Sequence, residues 1–301
     1  MVVDKPIIRP SSKTDFSFIK AALRSHGLVT VCEEAQCPNM AECWHETGTA
    51  TFMVMGDTCT RGCKFCAVKT ARKGIPLDPH EPEKLSEAIS IMHLDYMVIT
   101  SVDRDDLPDQ GAGHFAQCIA RIRKEHPQCH IEVLIPDFRG ELDCIKTIVD
   151  AHPDVIAHNL ETVRSLQSKV RDPRANYEQS LRVLRVVKRL DPLIFTKSSL
   201  MLGLGETESE VEQAMLDLRA AGCDMLTLGQ YLKPREKPLA VVEYVSQLKF
   251  DSYKSAGEKK GFAYVASGPF VRSSYRAGEL FVKSVKTRCH DAQKSHPAVS
   301  C

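Results

Sequence analysis

Thr51-Phe-Met-Val-Met-Gly56-Asp-Thr-Cys59-Thr-Arg-Gly-Cys63-Lys-Phe-Cys66 decides the fold. Its first six residues are an apolar run closed by glycine, the pattern of a buried strand. Three cysteines follow at once, spaced C-x3-C-x2-C. In parallel α/β barrels the chemistry collects at the C-terminal ends of strands, and these thiols stand at such an end. Comparable apolar runs recur at Asp95–Thr100, His130–Ile135, Asp154–Ala157, Leu193–Met201 and Asp224–Leu228, with helix-length amphipathic segments between them. Thr207-Glu-Ser-Glu210 has the capping-box form, and Asn176-Tyr-Glu-Gln179 a similar one, each just ahead of a helical apolar stripe. Six strands alternating with helices predict a parallel sheet, because every parallel connection needs a crossover. A closed eight-unit barrel takes about 250 residues, whereas the repeats here occupy only residues 51–255. The expected fold is therefore α/β, an incomplete (β/α)6 parallel barrel, with a doubly wound open sheet as the alternative. Residues 1–50 and 256–301 form N-terminal and C-terminal extensions.

The 301 residues carry 40 Lys+Arg against 39 Asp+Glu, a formal net charge of +1 that argues against a nucleic-acid-binding coat. Hydrophobic residues at 43% and charged residues at 26% are ordinary for a globular chain. A domain of this size buries about 75% of its unfolded surface, so disulfides are not needed to hold its core. No stretch reaches the roughly 18 apolar residues of a membrane span. The start, Met1-Val-Val-Asp-Lys-Pro6, has no apolar signal core, and no transit peptide is evident, so a cytoplasmic setting is expected.

Six of the twelve cysteines fall between Cys32 and Cys66. In a reducing compartment such grouping points to metal or redox chemistry rather than disulfides. Three thiolates on one tight loop hold three irons of a four-iron cluster and leave the fourth open to a substrate or cofactor. Structural zinc prefers four protein ligands, and the Cys59–Cys66 triplet has no nearby fourth. A second triplet, Cys32, Cys37 and Cys43, is spaced C-x4-C-x5-C. It reads as a second iron–sulfur site, with a zinc knuckle using His45 as the competing reading. The scattered Cys118, Cys129, Cys144, Cys223, Cys289 and Cys301 read as small hydrophobes or incidental thiols.

The Cys59–Cys66 stretch, with Phe65 before its last thiol, resembles the signature of radical S-adenosylmethionine enzymes. Together with Cys32–Cys43 and Arg272-Ser273-Ser274-Tyr275 it resembles the lipoyl synthase family. Further similar stretches are Val98–Asp106, His158–Val163, Lys169–Arg174, Met201–Glu206 and Leu228–Leu232, so the resemblance covers nearly the whole chain. It implies two 4Fe-4S clusters and S-adenosylmethionine. By the resemblance, Cys59, Cys63 and Cys66 hold the cluster whose reduction cleaves S-adenosylmethionine. The radical so formed takes hydrogen from an octanoyl chain. Cys32, Cys37 and Cys43, with Ser274 as a further ligand, hold a cluster that gives up sulfur. The implied partners are an octanoylated lipoyl carrier domain or glycine-cleavage carrier protein, and a ferredoxin- or flavodoxin-type reductant. The family's His-Leu-Pro element is replaced by Pro238-Leu239-Ala240 here, so the loop after the sixth strand departs in shape and carrier docking is the property it puts in question.

Other residues carry less specific signals. Phe65, Asn159, Glu161, Lys197, Ser199, Gly203 and Gly205 are candidate contacts to S-adenosylmethionine. Asn159 and Glu161 end the fourth strand on the active side, and ordinary loop hydrogen bonding is the alternative. Lys197 and Ser199 alternate with apolar residues and so share one face. Inside a barrel an unpaired charge is costly, which makes Lys197 notable. Gly203 and Gly205 serve either a tight strand-to-helix turn or cofactor contact. Asp103, Arg104, Asp105 and Asp106 read as a solvated mixed-charge turn, with a substrate role as the alternative that their place after the second strand permits.

Overall fold

The computed structural model describes residues 49–234 and 239–279, together with Pro6, Lys20, Ala21, Leu23, Arg24, Thr30, Val31, Asn39, Met40, Cys43, Trp44, Phe281 and Val285. Seven strands alternate with helices: β1 (Thr49–Val54), α1 (Glu81–Met92), β2 (Tyr96–Ser101), α2 (Ala112–Glu125), β3 (His130–Leu134), α3 (Leu142–Asp150), β4 (Val155–Ala157), α4 (Tyr177–Leu190), β5 (Phe195–Leu202), α5 (Glu208–Ala220), β6 (Met225–Gln230), α6 (Gln247–Lys259) and β7 (Tyr264–Gly268). They form one sheet in chain order, and every neighbouring pair is parallel. The helix starts follow the local chemistry. Thr207 and Glu210 close a full capping box on α5, and the Asn176 side chain accepts from Gln179 N–H at the start of α4.

Alternate residues divide the sheet into two faces. Met97, Ile99, Ile131 and Val133 point outward and pack with α1 to α4 in one core. Tyr96, Val98, Val155, Phe195, Met225 and Ala266, from five strands, meet in a separate cluster on the other face. Side chains from non-adjacent strands converge this way only when a sheet curls around them, so the sheet is a partial barrel rather than a flat doubly wound layer. Phe281 closes its lower end. The ring lies 5.9, 4.7 and 5.5 Å from Tyr96, His130 and Phe195, the first residues of β2, β3 and β5. The C-terminal ends of the strands are left for the site.

The sheet holds one strand more than the sequence pattern announces. β7 pairs with β6 from Met225↔Tyr264 to Gly229↔Gly268, so the barrel runs past residue 255 into the stretch read as an extension. Its sequence, Tyr-Val-Ala-Ser-Gly, is short and small-sided, which hides the strand period. At Gly229 a Cβ would stand 2.1 Å from the Val271 carbonyl oxygen. The absence of a side chain there lets the turn carrying Arg272 to Tyr275 lie directly on β6. Among the described residues no helix is long and apolar enough to cross a membrane.

Candidate functional site

The cysteine loop leaves β1 and is fixed by buried ionic contacts. Arg61, between Cys59 and Cys63, donates Nε and Nη2 to the two Asp105 carboxylate oxygens at 2.9 and 2.8 Å, and Nη1 to Asp137 Oδ2 at 2.8 Å. The Arg61, Asp105 and Asp137 side chains are only 2%, 4% and 0% exposed. A buried guanidinium is tolerated because its planar fork is matched by two carboxylates. Burial acts to raise Asp137, but Arg61 overrides it and holds that carboxyl down at about 2. Gly62 N–H donates to Asp172 Oδ2 at 2.8 Å, and Lys64 N–H to the Val170 carbonyl at 2.9 Å. The loop is thus clamped to the ends of β2 and β3 and to the Val170–Asp172 turn. The Asp103–Asp106 turn is therefore not the solvated surface its composition suggests. Arg104 is buried against Met55 and Asp106, and Asp105 accepts from Arg61, Arg139 and Arg174.

Inside this clamp lies a cavity of about 360 Å³, within the size range of ligand sites. Cys59, Cys63 and Cys66 line one wall, and Ser273 and Ser274 also line it. Val98, Leu134 and Ile135 supply apolar surface, and Phe65, Asn159 and Glu161 complete the side beside β4. Two thiols accept backbone hydrogen bonds: Arg61 N–H at 3.4 Å from Cys59 Sγ, and Asp172 N–H at 3.3 Å from Cys63 Sγ. Such bonds to sulfur tune the potential of a cluster. Burial, with Asp103 nearby, pushes the Cys59 thiol up to about 12, and burial pushes Cys63 up to about 11. Thiols in such surroundings become thiolates when a bound cation compensates them, as iron does. Among the described residues, no three His, Cys, Asp or Glu side chains converge tightly enough for a single metal ion. The three thiols on one clamped loop fit the cluster.

The cavity also suits a polar ligand with amino and hydroxyl groups. Asn159 Oδ1 is buried and has no hydrogen-bond partner among the described residues. Its amide donates to Glu161, a half-buried carboxyl whose pKa is raised by burial against the opposing pull of Arg171. Glu161 sits at φ +68°, a left-handed conformation uncommon for a residue with a side chain. His158, also in the lining, is held down to about 4 by burial and by Arg171, so it is neutral near pH 7.

Four expected contacts lie elsewhere. Lys197 is one layer deeper, its Nζ bonded at 2.8 and 3.0 Å to both oxygens of Glu132, and both side chains are 2% exposed. Glu132 itself lines the cavity and accepts from Tyr96 Oη at 2.8 Å. Lys197 is thus neither unpaired nor in the lining, and Ser199 is buried on β5 outside the lining. Gly203 has φ +92°, and a Cβ there would meet the Glu243 carbonyl at 2.3 Å, so it serves the turn rather than the cavity. Gly205, at φ +107°, shares that turn. The sequence reading missed Arg61, Glu132 and Arg171, and took Asp103, which lines the cavity, first as a solvated residue. A cation inside the C-x3-C spacing was the one available signal.

Of the second triplet, Cys32 and Cys37 lie outside the described residues. Cys43 is 7% exposed and packs beside Trp44 in the outer core. Val31, next to Cys32, lines the cavity. Asn39 donates Nδ2 to the Phe270 carbonyl at 2.8 Å, which ties Asn39 to the segment just before Ser274. Of the other cysteines, Cys118, Cys129 and Cys223 are buried in the cores.

The family model of the radical SAM superfamily matches residues 53–218. A protein of Culex quinquefasciatus named lipoyl synthase, mitochondrial, is 57% identical over 90% of this chain and 72% of its own length. One of Arabidopsis thaliana named lipoyl synthase, chloroplastic, is 58% identical over 90% of this chain and 70% of its own. Among solved structures, methylornithine synthase superposes with a TM-score of 0.57 at 11% identity, covering 91% of this chain and 77% of that one. SuiB of Streptococcus suis bound to precursor peptide SuiA gives 0.57 at 7%, covering 93% and 60%. These two show the fold alone. The relatives' names correct the cytoplasmic expectation, since they are organellar.

Proposed function

The chain belongs to the lipoyl synthase family of the radical S-adenosylmethionine superfamily, and from that premise we propose how its own residues divide the work. It is a radical sulfurtransferase that inserts two sulfur atoms, at carbons six and eight, into a protein-bound octanoyl group. Its cofactors are two 4Fe-4S clusters and S-adenosylmethionine: one cluster supplies the electron that cleaves S-adenosylmethionine, and the other supplies the sulfur.

Cys59, Cys63 and Cys66 hold the first cluster. The Arg61 fork keeps their loop in place, so the thiolates are positioned before anything binds. Asn159 and Glu161 accept hydrogen bonds from the amino and ribose groups of S-adenosylmethionine, and the partnerless Asn159 oxygen supports this assignment. Phe65, Val98 and Leu134 give apolar walls that exclude water from a radical. Cys32, Cys37, Cys43 and Ser274 would hold the sulfur-donating cluster. The substrate arm comes from an octanoylated lipoyl domain or a glycine-cleavage carrier protein, and a ferredoxin- or flavodoxin-type protein delivers the electron.

The observation that carries this reading is that Ser273 and Ser274 line the same cavity as the three cysteines, more than 200 residues away in the chain. Two sites sharing one cavity allow an acyl carbon to lose hydrogen at one and meet sulfur at the other without leaving. Ser274→Ala is expected to keep S-adenosylmethionine cleavage and lose lipoyl product to background, measured as 5′-deoxyadenosine and by mass spectrometry of the acyl peptide. An unchanged product yield removes Ser274 from the ligand set.

A further inference from the structure

Outside the cysteine loop, on the face opposite the cavity, lies a groove lined by Thr60, Arg61, Gly62, Thr70, Ala71, Arg72 and Arg174. Cys59 and Cys63 line the cavity while Thr60 and Gly62 line the groove. The wall between the thiols and the outside is therefore a single strand of chain.

That outer face is cationic by construction. Asp105 and Asp172 are only 4% and 8% exposed, while their partners Arg139 and Arg174 are 49% and 45% exposed. Burying the acids turns the guanidinium groups outward. Around them, Lys64, Arg72, Lys73 and Lys169 are exposed, and no ion pair joins any of them to a described residue. The members are contiguous: Arg139 and Arg174 share Asp105, Arg174 Nη2 donates to the Thr60 carbonyl, and Lys64 N–H donates to the carbonyl of Val170, next to Lys169. A chain of net charge +1 has concentrated cations on one small area.

We infer that this cationic face, over the thin wall of the Cys59–Cys66 loop, docks an acidic protein that carries single low-potential electrons. The inference rests on the cluster assignment above and adds where its reductant sits. Two complementary charged surfaces steer encounter and fix orientation. The face also offers a short path, because an electron needs proximity but no opening. An acyl arm does need one, and from this side it would have to pass through the loop itself. The octanoylated carrier therefore approaches elsewhere.

The test uses the reconstituted holoenzyme with Arg72→Glu/Lys73→Glu/Lys169→Glu, and Arg72→Gln/Lys169→Gln as a gentler pair. None of these residues lines the cavity. With a reduced acidic ferredoxin at low salt, the reversal variant is expected to form 5′-deoxyadenosine at least about tenfold more slowly than wild type. Its ferredoxin Kd, measured by calorimetry, is expected to rise by a similar factor, and the salt dependence of the wild-type rate is expected to disappear. With dithionite, variant and wild type should agree within about twofold, because a small reductant needs no docking face. Ferredoxin-driven rates and Kd equal to wild type would overturn the inference. So would an undisturbed electron supply with a raised KM for the octanoylated carrier, which would give the face to that partner. Cleavage of S-adenosylmethionine is read rather than product, so a failure of the sulfur-insertion reading shows separately, as wild type that cleaves under dithionite and yields no lipoyl peptide.

Discussion

Cys63→Ala is expected to abolish S-adenosylmethionine cleavage. Cys63 is the middle of three thiols on a loop held at Arg61, Gly62 and Lys64 by buried or backbone contacts. It lines the cavity and accepts the Asp172 N–H. The clamp does not depend on its sulfur, so the variant is expected to fold while losing one corner of the cluster. Roughly half of the bound iron should go with it, since thiolates are the ligands that hold such clusters. The 5′-deoxyadenosine released under dithionite should fall to background, and the remaining iron should still give the absorption of the second cluster. Normal cleavage by this variant would remove the Cys59–Cys66 loop from the reaction.

Lys197→Ala has the largest expected effect on stability. Its ammonium and the Glu132 carboxylate are both 2% exposed, the carboxylate in the cavity lining and the ammonium outside it. The Tyr96 phenol completes the group, and burial beside Glu132 keeps it protonated, its pKa well above the usual value. Removing the lysine leaves a buried carboxylate without its cation, a loss of about 3–5 kcal/mol in such sites. The urea midpoint should drop accordingly. Replacing both partners, as Lys197→Met with Glu132→Gln, should recover much of the loss, because the uncompensated charge disappears. A single variant within about 1 kcal/mol of wild type would show that water or another cation reaches Glu132.

The strands were legible where long apolar runs met turn residues, as at Tyr96–Ser101 and Phe195–Leu202. β7 was not, because three of its five residues are Ala, Ser and Gly, and its burial comes from β6 and α6 rather than from its own pattern. The thiol triplet was legible because its ligands lie close in sequence. The groups that position it were not: Arg61 finds Asp105 and Asp137 at separations of 44 and 76 residues. Alternation placed Lys197 on the inner face, but its partner Glu132 stands 65 residues earlier and two strands away, beyond any local pattern. Charge composition likewise suggested that Asp103–Asp106 is solvated, and only the folded loop above it makes it buried. What local periodicity can encode was readable; what tertiary approach creates was not.

In the proposed reaction one cavity serves both radical generation and sulfur delivery. This double role is tested most directly by a single anaerobic turnover of the protein with both clusters reconstituted, S-adenosylmethionine, dithionite and an octanoyl-lysyl peptide, followed by mass spectrometry of the peptide. The expected peptide has gained two sulfur atoms and lost two hydrogens. A peptide left unchanged while 5′-deoxyadenosine accumulates would contradict the proposed reaction.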